Sequence, residues 1–88
     1  MKTTQETLDY IRNKYAFQKF LRDNARELQN LEEQANHISK AKQLLEAVNE
    51  HQSKMNTLVQ VYAFIKGIDL TEAGKELIEF AKQWKESK

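Results

Sequence analysis

From Gln5 to Lys66 the chain runs for about sixty residues without one glycine or proline, and only Gly67 and Gly74 follow. These two residue types are the strongest breakers of regular backbone. A stretch free of both and rich in Glu, Lys, Gln, Ala and Leu therefore reads as helix nearly end to end. The expected fold is all-α, an antiparallel bundle of three or four helices with room for one long central helix packed in coiled-coil fashion. Residues Thr57 to Ile65 have a strand-like composition, but one isolated strand would have no pairing partner in this chain, so helix is expected there too.

Chain length and residue usage narrow the function classes. The 88 residues read as one domain spanning 1–88, large enough for one modest core and small enough that self-association or a partner matters to stability. With no cysteine, a disulfide framework, a thiolate zinc site and a thiol nucleophile are all excluded. The longest unbroken apolar run, Val61 to Ile65, falls far short of the roughly 20 residues a membrane span needs. Met1 to Glu6 is polar and carries no signal-peptide hydrophobic region, so a cytoplasmic protein is expected. Lysine outnumbers arginine and asparagine is common, a usage that fits an AT-rich genome such as that of a low-GC bacterium or its phage.

Helix boundaries are written in capping signals. Thr3 with Glu6 forms a capping box that should start the first helix. Asp23 and Asn24 with Glu27 repeat the signature, which places the first turn in the Arg22–Arg26 segment. Lys66-Gly67-Ile68-Asp69 is the clearest boundary: Gly67 can take the left-handed conformation that ends a helix, and Lys66 suits the carbonyl end of the dipole. Asp69 then caps the last helix with Glu72, and Ile68 and Ala73 occupy the staple positions. Between these turns Ile38, Ala41, Leu45, Val48, Gln52, Met55, Val59 and Tyr62 step by three and four without a slip, a heptad seam. Either that region is continuous, giving one helix from Ala25 to Lys66 about 63 Å long, or it breaks at His51 to Ser53 and four helices result. The polar run Asn49 to Lys54 favours the break.

The last helix should dock by the face of Leu70, Ala73, Leu77, Phe80, Ala81 and Trp84, with Glu72, Lys75, Glu76, Glu79, Lys82 and Glu86 opposite. Gly74 within it would admit a neighbouring helix closely or be an ordinary surface glycine. The first helix is different, because it carries two stripes. Leu8, Ile11 and Tyr15 make one, and Tyr10, Phe17, Phe20 and Leu21 make another well round the helix. One stripe can face a core, but two need two partners.

Catalytic constellations are sparse. His37 and His51 are the candidates for acid–base chemistry near neutral pH, yet they stand fourteen positions apart and belong to no Glu-x-x-His pair or His-Glu-x-x-His motif. Phosphate-cradling loops need glycine runs that are missing, and Ser39, Ser53 and Ser87 lack a nucleophile-elbow context. The net charge of +1 gives no global pull toward nucleic acid. Locally, Arg12, Lys14, Lys19 and Arg22 interleave with the aromatic residues of the first helix, with no carboxylate between Tyr10 and Arg22. No enzymatic activity, cofactor or metal is expected. The candidate partner-binding residues are Tyr10, Arg12, Phe17, Lys19, Phe20 and Arg22, with another protein or a second copy of the chain as partner.

The favoured reading is a protein-binding module, such as a small inhibitor or adaptor that occludes a surface of a larger protein. Phage and mobile-element anti-defence inhibitors are one population of such chains, and bacteriocin-immunity-type helical bundles are another. The reading from a different class is a nucleic-acid-binding helical protein using Arg12, Lys19, Arg22 and Arg26, whose cations would engage phosphates while aromatic rings stack on bases.

Overall fold

The structure is a computed structural model that describes residues 4–86. Among the described residues there are three helices and no strand: α1 (Thr4–Gln34), α2 (Ile38–Lys66) and α3 (Leu70–Glu86). The proposed cap Thr3 lies outside the described residues. At 1.5 Å per residue, α1 is about 46 Å long, which accounts for the 48 Å longest dimension of the molecule. The α3 helix, with 17 residues against 31 in α1 and 29 in α2, spans only about 25 Å. It lies against the N-terminal half of α1 and the C-terminal half of α2. The molecule is thus a three-helix bundle at one end and a two-helix hairpin at the other.

Both turns end their helices in the same way. At the second, Gly67 takes φ 69°, the Gly67 amide donates to Phe64 O at 3.3 Å, and the Ile68 amide donates to Ala63 O at 3.1 Å. This paired-bond Schellman cap satisfies carbonyls that the helix end would otherwise orphan. Asp69 Oδ1 accepts the Glu72 amide at 2.8 Å, so the sequence-derived cap of α3 is present. At the first turn Asn36 plays the glycine's part, with φ 63°. Its amide donates to Glu33 O at 3.0 Å and the His37 amide to Glu32 O at 2.8 Å.

Two expected boundaries are therefore corrected. The Arg22–Arg26 segment is the middle of α1, because Asp23 does not cap: its carboxylate accepts from Lys19 Nζ at 2.9 Å and from the Arg22 guanidinium at 2.8 and 3.1 Å. The His51 to Ser53 break is absent, because the His51 and Gln52 side chains bond across to α1 rather than to their own backbone. His51 Nδ1 lies 2.7 Å from Gln18 Oε1, and Gln52 Oε1 accepts from Arg22 Nη1 at 2.6 Å. The unbroken Ala25 to Lys66 helix is also excluded, since Asn36 stops it.

The core follows the seam by halves. Ala41, Val48, Met55 and Tyr62, seven apart, are buried, whereas Ile38 and Leu45 in the alternate column are exposed. Where α3 is present, Leu8, Ile11 and Tyr15 from α1 meet Met55, Tyr62, Ala73 and Leu77 in one apolar cluster, with Phe80 and Trp84 packed on its edge. Past the end of α3 the buried positions are small, Ala25, Ala41 and Val48, so two helices approach closely with little apolar volume between them. On α3, Leu70 is exposed despite its place on the apolar arc. Gly74 has nothing within 4 Å of where a Cβ would stand, so it marks no close helix approach.

Candidate protein-docking surface

The second stripe of α1 stays outside. Tyr10 is 52 % exposed and Phe17 45 %, and two residues further along the same side, Leu28 at 51 % and Leu31 at 55 %, extend it almost to the end of the helix. Phe20 belongs to the border with α3: its ring meets Trp84 edge-on, centroids 6.1 Å apart, and it remains partly exposed. Leu21 is half-buried. The side of α1 that faces the fold carries Leu8, Ile11 and Tyr15, all buried as their spacing requires.

The expected partner-binding cations are drawn into the fold's own bonds. Arg12 ties all three helices together with Tyr62 and Glu76. Its Nε and Nη2 donate to the Tyr62 hydroxyl at 3.3 and 3.1 Å, Tyr62 donates to Glu76 Oε1 at 2.8 Å, and Lys66 Nζ donates to the same oxygen at 2.7 Å. Asp9 completes the chain, accepting from Arg12 Nη1 at 2.9 Å. Tyr62 is fully buried and its ring lies under both cations, 5.6 Å from Arg12 and 5.5 Å from Lys66. Glu76, expected on the solvent side of α3, is the acceptor at the centre of this network.

The electrostatics follow from those contacts. Burial works to lower the pKa of Arg12, but its bonds to Tyr62 and Asp9 prevail and raise it. The hydrogen bond from Lys66, then that from Tyr62, lowers the pKa of Glu76. Asp23 is opposed by burial, and the bonds from Lys19 and Arg22 nevertheless hold its carboxyl below the usual range. Burial raises the pKa of the Tyr15 phenol. Lys14 differs from the other three cations of the basic segment: it forms no ion pair among the described residues, and its ammonium sits 5.8 Å from the Tyr10 ring centroid.

Of the six candidate residues, Tyr10 and Phe17 stand on the exposed stripe, Phe20 at its edge, and Arg12, Lys19 and Arg22 in intramolecular pairs. Sequence reasoning missed Leu28 and Leu31, although the four-then-three step from Asn24 continues the stripe to both. It also missed Phe64, 87 % exposed near the end of α2 beside the exposed Val61, whose position outside the seam was the available signal. The two histidines are not brought together, since His37 pairs with Glu32 at the first turn and His51 bonds Gln18. Among the described residues no group of three or more His, Cys, Asp or Glu side chains could hold a metal ion, and no helix is long and apolar enough to cross a membrane. A groove of about 410 Å³ between α1 and α2 is lined by Lys14, Gln18, Ser53, Lys54, Thr57 and Leu58, amines, hydroxyls and an amide without a carboxylate or imidazole for proton transfer. In comparison with known proteins, the chain matches no family model, no curated protein and no solved structure.

Proposed function

We propose that this chain is a non-enzymatic protein-binding module that acts by covering surface, in the manner of a small inhibitor or adaptor, and that its docking surface is the outer face of α1. The observation that carries the reading is the row of exposed Tyr10, Phe17, Leu28 and Leu31 down one side of a 31-residue helix whose opposite side is already occupied. Exposed apolar side chains that recur along one face of a helix mark a face meant for another surface. Aromatic anchors of this kind supply most of the binding energy of protein interfaces.

The nucleic-acid reading is the weaker one. It needs Arg12, Lys19 and Arg22 to reach phosphates, and each would first have to leave a carboxylate held at 2.8 to 2.9 Å. Fluorescence anisotropy with a single-stranded oligonucleotide across a salt series separates the two readings. The proposal expects no salt-sensitive binding. Tight binding that weakens steeply with salt, and that is lost on charge reversal at Arg12 and Lys19, would overturn it.

A further inference from the structure

We infer that the occupant of the α1 outer face is a second copy of the same chain, its α1 running antiparallel to the first. The inference rests on reading that face as a docking surface and names what covers it. The face has a heptad register of its own: Lys14, Leu21 and Leu28 form one column, and Tyr10, Phe17, Asn24 and Leu31 form the other. Such paired columns are the seam of two helices packed side by side.

Charge decides the direction. Of the four cations from Tyr10 to Arg22, Arg12, Lys19 and Arg22 are already held by Asp9 and Asp23, which leaves Lys14 to set the direction. A parallel copy would set like against like and stack the two Lys14 ammonium groups in one layer. An antiparallel copy moves Lys14 away from its counterpart and toward the half that carries Glu27. Alternating the columns in an antiparallel pair places Phe17 against Leu28 of the second copy and Lys14 against its Leu31, beside Glu27. Among the described residues neither Lys14 nor Glu27 has an ion-pair partner, so this pairing supplies each with one. Lys14 and Asn24 interrupt the apolar seam. Polar residues there fix register while weakening association, which makes the dimer reversible.

The test exploits the absence of cysteine from the chain. Lys14→Cys and Leu31→Cys variants, mixed and oxidised, should form a disulfide between the two variants, whereas each alone should not cross-link. Two parallel copies would separate these positions by about 25 Å and would instead cross-link each variant to itself, which overturns the proposed direction. By sedimentation equilibrium, Phe17→Glu should weaken self-association about tenfold or more while its circular dichroism matches the parent. Lys14→Glu should weaken it roughly threefold to tenfold, Glu27→Lys in the same chain should restore it, and Asn24→Leu should tighten it. A parent chain that stays monomeric at its highest attainable concentration and forms no mixed disulfide overturns the second-copy assignment. The broader reading would then stand or fall on whether Phe17→Ala alters binding to a different protein.

Discussion

Replacing Tyr62 with phenylalanine removes a single oxygen, and that oxygen is the point at which all three helices meet. It accepts from Arg12 on α1 and donates to Glu76 on α3, at 3.1 and 2.8 Å. The ring is fully buried and its volume is retained in Tyr62→Phe, so no cavity opens. Each hydrogen bond to a charged group is worth about 1.5–3 kcal/mol when its partner is stranded. Here neither partner is, because Arg12 keeps Asp9 and Glu76 keeps Lys66. Both also sit where water can reach them, so the expected loss is about 1–2 kcal/mol. For a domain of this size that corresponds to a fall in Tm of roughly 5–15 °C. The assay is urea unfolding followed by circular dichroism, at a concentration low enough that self-association does not add to stability. The midpoint should fall by about 1 M urea with the slope unchanged. An unchanged midpoint would mean that water serves the two charges as well as the hydroxyl does, and the network would not fasten the bundle. A loss of more than about 4 kcal/mol would equal the cost of truncating the whole ring and would show that the reasoning about retained partners is wrong.

Trp84→Ala should cost about 2–3 kcal/mol, below the value for a fully buried tryptophan, because the ring lies on the edge of the core against Phe20; an unchanged thermal midpoint would mean that α3 does not depend on this contact. Asn36→Ala should lower stability by about 1 kcal/mol, since alanine bears the full steric cost of a left-handed residue, whereas Asn36→Gly should not; equal melting curves for the two would remove the account of the first turn. Asp23 and Glu76 have pKa values below the usual carboxylate range. Their contribution is therefore present above the unfolded-state pKa and is lost as pH falls through the lower folded-state value. Stability should drop on acidification below about pH 4, and the difference between parent and Asp23→Asn should shrink to nothing in strong acid; a constant difference at all pH values would contradict the pairing with Lys19 and Arg22.

The sequence made some features of this fold plain and hid others for physical reasons. The Gly67 turn was legible because glycine and the Asp69 cap point to one backbone solution, and both are used. Asn36 makes the same left-handed turn, but asparagine recurs at positions 13, 24, 30, 49 and 56, and only the bonds to Glu32 and Glu33 single this one out. The polar run at His51 to Ser53 resembled a break because serine, asparagine and histidine can bond their own backbone. Gln18 and Arg22, 33 and 30 positions away, take up His51 and Gln52 instead, and sequence spacing alone does not reveal that. On α1 the division into an inner stripe at Leu8, Ile11 and Tyr15 and an outer stripe through Tyr10 and Phe17 followed directly from periodicity. The destination of the cations did not, because Arg12 reaches Tyr62 across fifty positions. The thin two-helix end built on Ala25, Ala41 and Val48 emerges only once the helices are laid side by side.

The central claim is that the two stripes of α1 do different work, the inner one holding the fold and the outer one meeting another protein surface. Phe17→Ala and Ile11→Ala, compared in parallel for unfolding midpoint at low concentration and for association at high concentration, test it directly. Phe17→Ala should keep the parent midpoint within about 0.5 kcal/mol and lose association. Ile11→Ala should lose about 2–4 kcal/mol of stability and, where still folded, keep association. If Phe17→Ala unfolds the chain, or if it leaves both measurements unchanged, the outer stripe is not a docking surface.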